Sequence, residues 1–359
     1  MRVLFDIGHP AHIHLFKNVI KNLEKGGHAV KVTARNKEIT KDLLDAYGIP
    51  YENRGEAYNG LFKKAIGMIK IDLELYNIAK KFDPDILAGV HNPYIAHVAK
   101  IMKKPSIIFN DTENVKIAKI LTYPFATVIC TPSCFKEQVD PGKHVKINGY
   151  KELAYLHPEN FVPDPDVLKS IGVLENERYI VLRFISWAAS HDIGLQGIER
   201  GKELEFIKTL EEFGKVFVTS ERELGSELDK YRLHISPEKM HSLLYYAQLY
   251  IGEGGTMAAE AAVLGTPSIH IESTSSGRPT GEFIGNFSEL QNRYDIMYFF
   301  ARSDEALKKG VEILKNENSK DEWQIKRDVL IKDKINVAEW MTYFIEHYPD
   351  SFHECGGLI

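Results

Sequence analysis

Short apolar runs of strand length alternate along this chain with segments whose apolar residues recur every three or four positions. Val3-Leu4-Phe5-Asp6-Ile7 reads as a buried strand, and residues 13–25 then set Phe16, Val19, Ile20 and Leu23 on one helical face. Gly26-Gly27 stops that helix and residues 29–34 form the next strand. Helix 37–46, a Gly48-Ile49-Pro50 turn, strand 86–90, helix 93–102, strand 106–110 and strand 128–131 continue the pattern. Pro158, Pro163 and Pro165 interrupt it within 157–166, a linker in composition. The alternation restarts with strand 179–184, helix 202–213, strand 215–219, helix 240–247, strand 249–252, helix 256–264 and strand 267–271. Such alternation implies right-handed βαβ units and a parallel sheet. At 359 residues the chain is too long for one ordinary core. The expected architecture is α/β, with two doubly wound, Rossmann-like domains facing across a cleft. They cover residues 1–160 and 161–336, and a C-terminal helix within 337–359 packs back on the first.

Composition narrows the function classes. With 44% hydrophobic and 26% charged residues the chain has the make-up of a globular protein, and its net charge of −5 argues against a nucleic-acid surface, which needs a basic excess. Cys130, Cys134 and Cys355 offer neither a disulfide framework nor paired metal-ligand spacing, which fits a reducing, cytoplasmic compartment. The opening apolar run is cut short by Gly8-His9-Pro10, so it is not a secretory leader. No run of about 20 apolar residues is present, so any membrane contact is peripheral, at the inner face. The stretch 61–71, with Lys63, Lys64 and Lys70 among apolar residues at helical spacing, admits two readings: a helix lying on anionic lipid, or a surface helix with a core-facing stripe. A homodimer is equally compatible with the sequence.

The strongest local feature is Tyr250-Ile251-Gly252-Glu253-Gly254-Gly255-Thr256, running into Met257-Ala258-Ala259-Glu260. It is a strand, a glycine turn, and a helix expected to open at Thr256 as its N-cap. Exposed N–H groups and the positive end of the helix dipole make such a terminus an anion site, and Gly254 and Gly255 let a diphosphate approach the backbone. Glu260, a turn after Thr256, is placed to accept hydrogen bonds from ribose hydroxyls. An ordinary tight turn with a surface glutamate is the competing reading. Asn110-Asp111-Thr112-Glu113 follows a strand of the first domain, at the sheet edge where ligands sit in such folds. Asp111 or Glu113 is there a base, a sugar contact or a helix cap. His9, His12 and His14 cap a turn, take a proton or, least in keeping with their spacing, bind a metal; no metal site is expected.

The run from Met240-His241-Ser242 through Gly254-Gly255-Thr256 and Glu260 to Gly265-Thr266-Pro267 resembles the donor-binding signature of GT-B glycosyltransferases. It is similar to that of the peptidoglycan N-acetylglucosaminyltransferase and of the non-hydrolysing UDP-N-acetylglucosamine 2-epimerases. The resemblance implies that Gly254, Gly255 and Thr256 bind the diphosphate and Glu260 the ribose. It aligns His12 with a transferase histidine ahead of the first helix, a candidate base. It sets the segment after strand 179–184 over the phosphates, with Arg183 and Ser186 as contacts and His191 with Asp192 as a proton-transfer or capping pair. Arg278-Pro279 matches part of an epimerase motif, which makes Arg278 a phosphate or sugar contact. The transferase Gly-Gly-Ser loop and the epimerase His-Arg-x-Glu-Asn run are both missing. Asp6-Ile7-Gly8-His9-Pro10-Ala11-His12, Gly149-Tyr150-Lys151-Glu152 and Ser190-His191-Asp192 further resemble a domain-of-unknown-function family of GT-B-like proteins over nearly the whole chain.

Three functional expectations follow. The first is a metal-independent glycosyltransferase using a UDP-sugar as substrate and a glycan or lipid-linked acceptor, with no separate cofactor. The second is a UDP-N-acetylhexosamine 2-epimerase using Asp111, Glu113, His191 and Arg278. The third is a sugar-nucleotide-binding protein without catalysis.

Overall fold

The computed structural model describes residues 1–35, 38–55, 61–113, 115–174, 177–187, 195–199 and 201–356, without the side chains of 38, 61–66 and 356. His191 and Asp192 lie outside the described residues, as do most side chains of the basic amphipathic stretch 61–71. The chain divides into two compact units, Met1–Asn160 with Ile335–Ile359, and Phe161–Lys334.

The first unit contains β1 (Arg2–Ile7), β2 (Ala29–Ala34), β3 (Glu52–Asn53), β4 (Ile86–Val90), β5 (Ser106–Phe109), β6 (Val128–Pro132) and β7 (His144–Ile147). Their order in the sheet is β3-β2-β1-β4-β5-β6-β7, and every pairing is parallel. The order reverses direction between β1 and β4, and a crevice opens beyond the carboxyl ends of strands at such a reversal. Leu4, Leu87, Ile108 and Ile129 of the central strands pack with Leu75, Ile95 and Val98 of covering helices. Helix Pro10–Lys25 starts on Pro10, whose missing N–H is no loss in a first turn, and buries Ile13, Phe16, Val19, Ile20 and Leu23. Helix Val337–Glu346 packs on it, with Asn22 donating to Thr342 Oγ1 at 3.4 Å and His28 pairing with Glu346 at 3.0 Å.

The carboxyl end of β1 is held by a buried charge. Asp6 is fully buried and accepts hydrogen bonds from Thr33 Oγ1 (2.7 Å), Arg54 Nε (2.5 Å) and Asn92 Nδ2 (2.5 Å). Asn92 in turn caps helix Pro93–Met102 by accepting the Ile95 N–H at 3.0 Å. One carboxylate thus joins β1, β2 and the segments after β3 and β4.

The second unit contains β8 (Tyr179–Phe184), β9 (Lys215–Ser220), β10 (Leu249–Gly252), β11 (Ser268–Ile271) and β12 (Met297–Phe300), in the order β12-β11-β10-β8-β9 and again all parallel. Its reversal lies between β8 and β10. Both units are therefore parallel-sheet α/β folds. No helix among the described residues is long and apolar enough to cross a membrane.

Candidate functional site

Each reversal point gathers chemistry-bearing side chains. In the first unit they arrive on the segments after β1, β4, β5 and β7. Lys151 Nζ lies 2.5 Å from Asp111 Oδ2 and 3.7 Å from Glu152 Oε1, and His91 Nε2 lies 3.7 Å from Asp111 Oδ1. Burial works against ionisation of Asp111, yet the Lys151 ammonium and the His91 ring hold its carboxyl well below the usual carboxylate range. His91 has φ +45°, a left-handed conformation that a non-glycine residue adopts at some energetic cost. Its ring nitrogens are buried and meet no hydrogen-bond partner among the described residues. In the tautomer that carries its proton on Nε2, facing the Asp111 carboxylate 3.7 Å away, Nδ1 has a free lone pair.

His12 stands beside this group in a different state. Burial lowers its pKa well below the ordinary histidine value, with His9, His91 and Lys151 acting in the same direction, so the ring is neutral at pH 7. Its Nδ1 accepts the Gly8 N–H at 3.3 Å, and a backbone N–H can only donate. The proton of the neutral ring therefore sits on Nε2. His9 is arranged alike, its Nδ1 accepting the Ala11 N–H at 3.2 Å to cap the helix. In this arrangement the His12 Nε2–H is a donor, and its Nδ1 is engaged by the backbone.

Asp111 and His12 are thus brought together, and Glu113 is not. Glu113 is buried and accepts the Lys136 N–H at 3.2 Å. Neither carboxylate caps helix Lys116–Thr122, whose N-cap is Val115. His91 is not singled out by the sequence, and Lys151 stands there only within the Gly149-Tyr150-Lys151-Glu152 run, without a role at the site. The available signal for His91 was a polar residue directly after the buried run of β4, the reasoning that singled out Asp111. Among the described residues no group of three or more His, Cys, Asp and Glu side chains is disposed to hold a metal ion.

In the second unit the glycine turn follows β10. Gly252 has φ +152° and Gly254 φ +87°. A methyl group at Gly252 would collide with the Arg183 carbonyl oxygen of the neighbouring strand and lie 2.7 Å from its amide nitrogen. Tyr250 donates its hydroxyl to the Glu253 carbonyl at 3.0 Å and so pins the turn from beneath. The helix spans Gly255–Val263 with Gly254 as N-cap, so Thr256 is its second residue and not the cap expected from its side chain. The left-handed φ of Gly254 makes the turn one residue earlier, and the N-cap Gly254 supplies no side chain to cap the first N–H groups. Those donors and the helix dipole remain available to an anion.

Arg183, at the end of β8, adjoins Gly254: a Cβ added there would lie 3.3 Å from the guanidinium Nε. The same guanidinium donates to Thr219 Oγ1 at 2.9 Å and pairs with Glu221, which fixes its direction. Ser186, two residues past β8, is exposed. Glu260 is buried one turn into the helix, its Oε1 3.1 Å from His241 Nε2. Arg278 is exposed, held to Glu282 at 2.6 Å and lying over the Phe283 ring.

Comparison with known proteins agrees with this architecture. The family described as "Protein of unknown function (DUF354)" matches residues 1–281. The uncharacterized protein MJ0665 of Methanocaldococcus jannaschii is 26% identical over 282 residues, 74% of this chain and 80% of that protein. Among solved structures, the UDP-GlcNAc 2-epimerase of Methanocaldococcus jannaschii, in complex with UDP-GlcNAc and UDP, aligns with a TM-score of 0.63 at 14% identity, covering 92% of this chain and 99% of that one. The glycosyltransferase SsfS6 of Streptomyces sp. SF2575 aligns with a TM-score of 0.61 at 12% identity, covering 97% and 100%. The fold is that shared by GT-B glycosyltransferases and these epimerases. With more than half its length matched by the family, the chain belongs to the DUF354 family.

Proposed function

We propose that the protein is a glycosyltransferase that takes its sugar from a nucleotide diphosphate, UDP being the expected nucleotide. The observation that carries this reading is the Gly252-Glu253-Gly254 turn, with an uncapped helix start and the Arg183 guanidinium beside it. In the proposed reaction the N–H groups of Gly255 and Thr256 hold phosphate oxygens, and Glu260 takes the ribose hydroxyls. The acceptor hydroxyl attacks the anomeric carbon while the bond from that carbon to the diphosphate oxygen breaks. The hydroxyl proton passes to His91 Nδ1, steadied by Asp111, and UDP departs with the bonding electron pair. His12 Nε2–H steadies an acceptor oxygen, and a glycan or lipid-linked alcohol is the acceptor class. Fixed dipoles and Arg183 stabilise the departing charge.

An epimerase reading draws support from the same acid–base set around Asp111. It is the weaker one, because two of its other candidates are engaged elsewhere: Glu113 with the Lys136 N–H and Arg278 with Glu282. Incubation with UDP-sugars and alcohol acceptors is expected to release UDP at a rate unchanged by a chelator, since no step above requires a metal. Deuterium from solvent entering the sugar at C2 without any acceptor, and no release of UDP, would overturn the transferase reading in favour of the epimerase.

A further inference from the structure

Glu253 lies between the two left-handed glycines of the turn and is fully buried. Its Oε2 accepts the Ile185 N–H at 2.7 Å, its Oε1 accepts the Ile198 N–H at 2.7 Å, and the Trp187 side chain donates a further hydrogen bond. One carboxylate therefore joins Ile185, just after β8, to Ile198. Gly197 leaves room for this grip: a Cβ there would meet both the carboxylate and the Trp187 ring. Next to it, Gln196 and Ser273 exchange two backbone hydrogen bonds of 2.9 and 2.8 Å, and Ser273 bridges to Pro279. The segments that follow β8 and β10 are thus joined through a single side chain, and the one after β11 is tied to them by the Gln196–Ser273 backbone pair.

A carboxylate within an anion-binding turn is out of place unless its charge is engaged, because like charge repels a diphosphate. Here both oxygens are occupied by N–H donors from the neighbouring segments. Burial favours the protonated form of Glu253, and the Ile185 and Ile198 N–H groups oppose that.

We propose that Glu253 is a positioning residue for the diphosphate site. It does not touch the nucleotide; it fixes Ile185, Trp187 and Ile198 against the turn so that the N–H groups at the helix start stay in register with the phosphates. This rests on the diphosphate reading of that turn. Glu253→Gln tests it, because an amide keeps one acceptor oxygen and sets its NH2 against an N–H donor. UDP affinity is measured by calorimetry, and backbone amide exchange is followed at Ile185 and Ile198. The variant is expected to bind UDP about tenfold more weakly and to exchange the amide that faces the new NH2 about tenfold faster, the loss of roughly one buried hydrogen bond. Faster exchange with an unchanged UDP affinity would mean a merely structural role and overturn the proposal. Weaker binding with unchanged exchange would overturn it as well, since Glu253 would then act by contact. A wild-type protein that binds no UDP would sink the diphosphate reading itself, an outcome distinct from these two. Glu253→Asp, one methylene shorter, carries the same test should the glutamine variant fail to fold.

Discussion

The Asp6→Ala variant is expected to lose about 3–5 kcal/mol of unfolding free energy in urea, because removing one partner of a buried ion pair leaves the other charge uncompensated. Arg54 is 3% exposed and its Nε is directed at Asp6, so the variant leaves a buried guanidinium without its carboxylate. Thr33 and Asn92 lose an acceptor in the same step. Asn92 also caps helix Pro93–Met102, so part of the loss is expected as fraying at that helix start, next to His91. A double variant, Asp6→Ala with Arg54→Met, removes both charges and is expected to regain part of the loss, which a double-mutant cycle reads directly. A drop below about 1 kcal/mol for Asp6→Ala, in the range of an exposed pair, would contradict the buried-pair account.

The second large effect is expected at Asp111. Asp111→Asn is expected to lower the kcat for UDP release by about two to four orders of magnitude, the range for a positioned proton-transfer group. The amide cannot supply the negative charge that holds His91 Nε2–H and balances Lys151. UDP affinity should stay at the wild-type value, since the nucleotide is assigned to the second unit and Asp111 belongs to the first. That split between kcat and affinity separates a proton-transfer role from general damage to the fold. Turnover within a factor of a few of wild type would remove Asp111 and His91 from the proposed chemistry.

Much of the fold was legible in the sequence because its central strands are covered on both faces and read as unbroken apolar runs. β4 (Ile-Leu-Ala-Gly-Val), β8 and β10 stand out for that reason. β7 and β12 did not. They are four-residue strands at the edges of their sheets, and the mixed pattern His-Val-Lys-Ile of β7 reads as readily as a loop. The glycine turn was legible because left-handed backbone selects glycine; the helix start was misplaced by one residue because Thr256 has cap chemistry and Gly254 does the turning.

The first-unit cluster was only half legible. Asp6 looked like part of an apolar strand, and its partners Arg54 and Asn92 are 48 and 86 residues away. His12, His91 and Asp111 meet because strand order brings the ends of β1, β4 and β5 side by side, Lys151 arrives on the segment after β7, and linear spacing does not encode that neighbourhood. The tautomer of His12 depends on the Gly8 N–H, a contact made by backbone geometry rather than by residue type.

The central claim is that the turn after β10 binds a nucleotide diphosphate. Its most direct test is calorimetric titration of UDP into the wild-type protein and into Gly254→Val. The valine places a β-branched side chain at φ +87°, beside Ile185 and the Arg183 guanidinium, at a strain of about 1–3 kcal/mol. The expected result is saturable binding to the wild type, with a matching rise in Tm as ligand binding stabilises the folded state. The folded variant should bind at least about tenfold more weakly. A wild-type protein that gives neither heat nor a Tm shift with UDP, or a folded Gly254→Val that binds as tightly as wild type, would contradict the account.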